Sequence, residues 1–116
     1  MVGWYVAHKK SAERDLSNKR RELRVQYLIE AYRVLASAMD RTKLDAGFVA
    51  KLESAIADVQ LFGTTAQLAA IVKIAEDIRD RQVMPLQELT QSLRDELRKE
   101  VGLEHIDGEI LVLRFP

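Results

Sequence analysis

The sequence predicts an all-α fold, in which a long N-terminal helix and three shorter helices form a bundle and a short extended segment ends the chain. Three observations lead to this prediction. The chain has 116 residues, the length of one domain of ordinary size. Only five Gly and two Pro occur, and 47% of the residues are hydrophobic, a composition that favours helices over a turn-rich β fold. Apolar residues also recur three and four positions apart through most of the chain.

The first predicted helix runs from residue 7 to about residue 39, a stretch without Gly or Pro. Its apolar residues recur at helical spacing: Leu16, Leu23, Tyr27, Ala31 and Val34. The first half is nearly all polar, whereas the second half is apolar on more than one face. We therefore expect residues 1–24 to project as a helical arm and residues 25–103 to form the bundle.

The second helix is expected to begin after Asp45, whose side chain can cap it. Its apolar stripe comprises Phe48, Leu52, Ala55, Ile56, Val59 and Phe62. We expect Ile56 and Phe62 to lie in the core. Gly63 should end the helix with a positive φ, which costs glycine nothing.

Similar signals bound the third and fourth helices. Thr64 or Thr65 can cap the third helix. Pro85 fits the first turn of the fourth helix, and Gly102 ends it. The fourth helix carries leucines three and four positions apart: Leu86, Leu89, Leu93 and Leu97.

Residues 104–116 form the predicted apolar tail. After the turn signal Asp107-Gly108, a short strand is expected with Ile110 and Val112 on one side and Leu111, Leu113 and Phe115 on the other. Both faces are apolar, so the tail should be ordered and covered, either on its own helices or by the same segment of a second copy. These five residues are a candidate protein interface, and a homodimer is one candidate assembly.

Charge is divided unevenly along the chain, although its net charge is zero. Residues 1–24 carry seven basic and three acidic side chains, whereas residues 25–116 carry 11 basic and 15 acidic ones. The seven cations are candidate contacts for lipid headgroups or phosphate: Lys9, Lys10, Arg14, Lys19, Arg20, Arg21 and Arg24. A solvated or headgroup-facing helix is the favoured interpretation, and nucleic-acid binding and a protein-docking face are the alternatives.

The residues that catalysis needs are scarce. There is no Cys, and His8 and His105 lie near opposite ends of the chain. No Gly-x-Ser-x-Gly elbow and no phosphate-binding glycine loop occurs. We therefore expect no catalytic, cofactor-binding or metal-binding residue and no small-molecule substrate, and we predict that the chain is not an enzyme.

The N-terminal segment has features of a membrane boundary. The apolar start, residues 1–7, is far shorter than the roughly 20 residues that span a bilayer. Trp4 and Tyr5 are residue types of the membrane interface, and the basic residues that follow them are typical of a cytoplasmic flank. This order resembles the end of a membrane anchor, and an ordinary helix start is the alternative.

Three stretches of the sequence together carry a resemblance to a known group of proteins. They are residues 14–33, which include YLIEAYR, residues 52–64, which include ESAIADVQLFG, and residues 93–100. They resemble a group of uncharacterised bacterial proteins in which one N-terminal membrane helix runs directly into a helical cytoplasmic domain. This chain differs from that group in lacking the membrane helix, apart from a possible remnant at residues 3–8.

The aromatic and then basic N-terminus, followed by a helical body without catalytic residues, favours a non-enzymatic interaction or scaffold domain at the cytoplasmic side of the inner membrane, or in the cytoplasm if no membrane helix precedes it. The resemblance itself implies no activity and no catalytic residue. The alternatives are a small regulator that binds nucleic acid through the basic arm and an inhibitor or adaptor of a partner protein.

Overall fold

The structure is a computed structural model that describes residues 2–41 and 43–116, with side chains described from Lys10 onward. Over these residues the chain forms four α-helices and no strand. Helix α1 spans Val2–Ala38, α2 spans Ala46–Phe62, α3 spans Thr65–Arg81 and α4 spans Gln87–Glu100. The predicted all-α class is therefore confirmed, and the predicted C-terminal strand is wrong.

Each helix packs against two others. Helix α1 contacts α2 and α4, and α3 contacts the same two helices from the other side. The core between them is made of residues at helical spacing, as in the run Leu28, Ala31 and Leu35 of α1, which are almost fully buried. All four leucines of the predicted fourth-helix stripe are buried as well.

Side-chain caps fix the starts of α2 and α3. Asp45 accepts a hydrogen bond from the Phe48 backbone N–H at 2.7 Å, as its predicted role requires. Thr64 accepts from the Gln67 N–H at 3.2 Å, and the Gln67 side chain accepts from the Thr64 N–H at 3.0 Å. This reciprocal pair is a capping box, so Thr64 rather than Thr65 is the cap.

Gly63 ends α2, but not with the backbone predicted. Its φ is −77° and its ψ is 170°, so the residue is extended and the predicted positive φ is wrong. The Gly63 N–H donates to the Val59 carbonyl at 2.6 Å, and the chain then continues straight into the Thr64 cap. A Cβ on Gly63 would overlap that carbonyl and lie 2.9 Å from both Val59 Cγ1 and Gln67 Oε1. Glycine is needed here for space and not for a left-handed conformation.

The carboxyl end of α4 lies where it was predicted, but its amino end does not. Pro85 precedes the helix, which begins at Gln87 after the cap residue Leu86, so its predicted place in the first turn is wrong. Gly102 has a φ of +78° and its N–H donates to the Lys99 carbonyl, while the next N–H donates to the Arg98 carbonyl. This Schellman pattern confirms that Gly102 stops the helix.

Ile56 and Phe62 are less buried than predicted. Both pack against the core, yet both are only half-buried. The Phe62 ring stacks on Tyr27 with centroids 5.2 Å apart, and Ile56 lines an open groove between α2 and α3. The stripe of α2 therefore faces the core along one side and solvent along the other.

Candidate functional site: interaction surfaces

The basic arm is exposed from residue 10 to residue 23. Lys10, Arg14, Lys19 and Arg20 form no ion pair with any side chain that the structure describes. The side chains of Trp4, Tyr5, His8 and Lys9 lie outside the described residues. Four of the seven predicted cations are thus available to an external anion.

Unlike the four exposed cations, Arg21 and Arg24 bind groups of the same chain. Arg21 Nε pairs with Glu100 Oε2 at 2.7 Å, and its Nη2 donates to the Glu100 carbonyl at 2.7 Å. Arg24 Nε donates to the Phe62 carbonyl at 2.7 Å, and its guanidinium pairs with Glu96 and, at 3.7 Å, with Glu100. These two arginines join α1 to the carboxyl ends of α2 and α4, so they position the arm.

A buried glutamine extends this contact to α3. The Gln67 side chain, 1% exposed, donates to Glu96 Oε2 at 2.6 Å while its oxygen completes the capping box. Within the described chain no buried side-chain polar atom lacks a partner. The polar residues where the four helices meet are therefore fully used by the fold.

Sequence analysis did not separate these two arginines from the other cations. A signal was present, because Arg21 and Arg24 lie three positions apart and Glu96 and Glu100 lie four apart, so each pair shares one helix face. The signal did not reveal that the two faces meet.

Arginines also hold the apolar tail. Arg98 Nε donates to the Glu104 carbonyl at 3.0 Å, and Arg94 Nη2 donates to the Gly108 carbonyl at 2.8 Å. Near the end of the tail, Arg114 Nη2 donates at 2.8 Å to the carbonyls of Ser37 and Met39. The tail thus runs back along α4 and reaches the carboxyl end of α1, where the last carbonyls favour a cation.

The two faces of the tail have different environments. Ile110 and Val112, the inner face, are half-buried against the core. Leu111, Leu113 and Phe115, the outer face, are 87%, 74% and 88% exposed. The predicted division into two faces is correct, but the prediction that both are covered is wrong within a single chain. The side chains alternate as in a strand although the described residues offer no neighbouring strand to pair with.

Comparisons were made with protein family models, curated proteins and solved structures. None of them matches the chain. The resemblance to bacterial membrane-anchored proteins stays a prediction. No helix in the described part of the chain is long and apolar enough to cross a membrane.

An apolar groove lies between α2 and α3, and sequence analysis did not predict it. Its volume is 360 Å³, and Val49, Ile56, Ile71 and Ile78 lie among its lining residues. Glu53 is the one charged residue of the lining. The sequence carried no signal for this groove, because the partial exposure of Val49 and Ile78, 36% and 47%, is a result of how the helices pack.

A second cleft, between α3 and α4, is larger and has more charged residues in its lining. It has a volume of 690 Å³ and is lined by charges of both signs, among them Lys73, Asp77 and Asp95. Among the residues with described side chains, no three His, Asp or Glu residues are grouped so that they could hold a metal ion. We assign no chemistry to this cleft.

Proposed function

We propose that this protein is a non-enzymatic interaction domain, a four-helix bundle with a projecting N-terminal arm, that works at the cytoplasmic face of a bacterial membrane. The arm contacts anionic lipid headgroups, and the bundle and its tail bind a protein partner. The observation that carries the proposal is that Lys10, Arg14, Lys19 and Arg20 are exposed and form no ion pair with any described side chain.

The charge of the arm favours an anionic surface. Residues 9–20 contain five basic and two acidic side chains. Each Lys or Arg near an anionic leaflet contributes about 1 kcal/mol, and this attraction falls off within a Debye length of roughly 10 Å. Several cations on one helix therefore give a reversible, salt-sensitive attachment.

The orientation of the arm supports the same role. Arg21 and Arg24 fix the base of the arm to α4 and to the end of α2. Because the base is held, a surface bound by the arm would meet the rest of the domain in a defined orientation. A domain that presents itself to a partner at a membrane needs such an arrangement.

Co-sedimentation with lipid vesicles tests the membrane part. The whole chain should bind vesicles that contain anionic phosphatidylglycerol, should not bind neutral phosphatidylcholine vesicles, and should be released by about 0.5 M salt. Lys19→Glu with Arg20→Glu should reduce binding at least tenfold. Lys43→Glu with Lys51→Glu makes the same change in net charge at exposed sites outside the arm and should reduce binding much less.

Equal losses from the two double variants would show attraction to net charge and would count against the arm. No binding to anionic vesicles at low salt would overturn the membrane part. The same exposed cations also suit phosphates of nucleic acid, as the alternative regulator requires. A gel shift at physiological salt that is abolished by Lys19→Glu with Arg20→Glu, without vesicle binding, would select that alternative.

A further inference from the structure

We propose that the surface between α1 and α4 is a binding site for an extended peptide segment of the partner protein, and that the tail occupies this site within its own chain. The proposal rests on the protein-partner part of the proposed function, because it names the surface that takes the partner and the tail as the segment that covers it. The contacts of the tail, its light attachment and a cleft that it leaves open support the proposal.

The first half of the tail is held through its backbone. Arg98 Nε donates to the Glu104 carbonyl at 3.0 Å. Arg94 Nη2 donates to the carbonyls of Ile106 and Gly108, at 3.4 Å and 2.8 Å. The two arginines lie four positions apart on α4, so they share one helix face and form a row of donors along the tail. Every peptide has carbonyls, so this row can bind an extended segment of another sequence.

The second half of the tail is held through alternate side chains. Ile110 and Val112 pack against the core, and Arg114 Nη2 donates to the carbonyls of Ser37 and Met39. The three tail residues are two positions apart, which is the period of an extended chain. Hydrogen bonds to the backbone combined with contacts for alternate side chains are a common way to bind an extended peptide. The pattern that fits this site is apolar-x-apolar-x-Arg, since the carboxyl end of a helix favours a cation.

The tail is held lightly compared with the helices. None of residues 103–116 is fully buried, and Ile110 and Val112 are half-buried, whereas Leu89 and Leu93 of α4 are completely buried. The hydrogen bonds of the tail lie at exposed or partly buried positions, where water can replace them. A segment attached in this way can leave the domain while the helices stay folded, and a competing peptide can then take its place.

The tail also leaves part of the site unfilled. A cleft of 410 Å³ lies between α1 and α4, and its lining includes Ile29, Tyr32 and Leu97. Ile106 is the one tail residue in this lining, and it is 41% exposed. A peptide with a larger apolar side chain at the position of Ile106 would cover more of the cleft than the tail does. A partner segment can therefore fit the site better than the tail.

Attachment to the same chain compensates the tail for its poorer fit. A segment joined to its site by a short linker has an effective concentration of roughly millimolar. A free peptide competes with this concentration, and its apparent dissociation constant rises as the fraction of molecules with an open site falls. The tail thus sets a threshold that a better-fitting partner passes and a weak ligand does not.

A labelled peptide with the sequence of residues 103–116 tests the site, with the whole chain as its receptor and fluorescence anisotropy as the readout. In the protein, Ile110→Asp with Val112→Asp should undock the tail, since each change places a charge in an apolar contact. This undocked variant should bind the peptide at least tenfold more tightly than the wild type does. Leu111→Asp with Leu113→Asp is the matched control: it adds the same charge to the exposed outer face and should bind the peptide as weakly as the wild type.

Further variants test the individual contacts. Adding Arg94→Ala to the undocked variant should weaken peptide binding at least fivefold. Adding Arg79→Ala should leave it unchanged, because Arg79 pairs with Asp80 and does not contact the tail. A peptide with Val112→Asp should bind at least tenfold more weakly than the original peptide, whereas a peptide with Leu113→Asp should bind as well as the original.

Three outcomes would overturn the proposal. One is that the undocked variant binds no peptide up to about 1 mM, because a tail of roughly millimolar effective concentration stays docked only if its own dissociation constant is lower. Another is that this variant loses its helical circular dichroism, since the tail would then be part of the core. The third is a wild type of twice the 13.2 kDa chain mass that becomes a monomer in the undocked variant, which would place the tail of a second copy in the site.

These measurements use no membrane, so they are independent of the vesicle experiment. Vesicle binding without peptide binding would overturn this proposal alone. Peptide binding without vesicle binding would overturn the membrane part of the proposed function alone.

Discussion

Gly63 shows how the space around one residue can decide its identity. Its backbone is extended, which any residue can adopt, yet the position lies between the Val59 carbonyl in the last turn of α2 and the capping box of α3. The atoms of Val59 and Gln67 occupy the place of a Cβ. A side chain here must therefore open the junction between the two helices.

Gly63→Ala and Gly63→Asn should destabilise the protein by similar amounts, about 1–3 kcal/mol, because both add the same Cβ. Asparagine would be milder only if the backbone were left-handed. Urea denaturation of both variants measures this. Gly47→Ala is the control, since a Cβ there meets Asp45 Oδ1 at 3.4 Å, an ordinary contact, and it should be neutral or stabilising. A clearly milder effect of Gly63→Asn would contradict the observed φ.

At the level of the elements, the start of α3 depends on one of two adjacent threonines. Thr64 and Thr65 are both exposed and differ in sequence only by their order. The Thr64 hydroxyl accepts the Gln67 N–H, and the Gln67 side chain then connects this helix end to Glu96 of α4. The cap is therefore part of the contact between α3 and α4.

Thr64→Ala should cost about 1 kcal/mol, since an N-cap hydrogen bond is lost. Thr65→Ala should be neutral or slightly stabilising, because alanine has the higher helix propensity. The two single variants have identical composition, so the difference between their unfolding midpoints contains the lost cap and the small propensity gain at position 65. Equal midpoints would mean that the capping hydrogen bond contributes nothing to stability.

Helices with a strong period were predictable from sequence, and some of their ends were not. The leucine stripe of α4 is buried as expected, and local rules found the Asp45 cap and the Gly102 stop. Pro85 gave a wrong start for α4, because a proline suits the first turn of a helix but does not identify the residue at which the helix begins. The helix begins later, after Leu86, which is 4% exposed. Packing of that residue places the helix start, and packing is a tertiary property.

For the tail as well, the sequence pattern predicted the local conformation but not the tertiary contacts. Alternation of its residues predicted an extended segment with two faces, and the structure has both. Alternation does not show whether a neighbouring strand exists, so it could not predict a ladder. What holds the tail is the set of Arg94, Arg98 and Arg114, and no local pattern links these side chains to the carbonyls they bind.

For the whole molecule, the sequence indicated a basic arm and an acidic body but not how they meet. Arg24 lies where the arm ends, and its side chain binds the Phe62 carbonyl and the carboxylate of Glu96. One cation of the arm is thereby neutralised by a carboxylate of the same chain. The charge pattern predicted only that the two parts differ in charge, whereas the pairing of Arg24 with Glu96 depends on the helix packing.

The tail is likewise attached to the whole domain by side chains from a distance in sequence. Arg94, with a side chain 11% exposed, pairs with Asp95 at 3.0 Å and also binds the Gly108 carbonyl. Arg79 pairs with Asp80 at 3.1 Å in the same way but binds no part of the tail. The two arginines thus differ in their contact with the tail.

Arg94→Ala should release the tail from α4 and leave the helices folded. We expect chymotrypsin to cleave after Leu111 and Leu113 several-fold faster than in the wild type at low protein concentration, because an extended backbone freed from its anchor enters a protease site readily. Arg79→Ala should cleave at the wild-type rate. If Arg94→Ala also cleaves at that rate, the packing of Ile110 and Val112 holds the tail without the arginine. If cleavage begins within the helices instead, Arg94 stabilises the fold itself, and the thermal melt should fall with it.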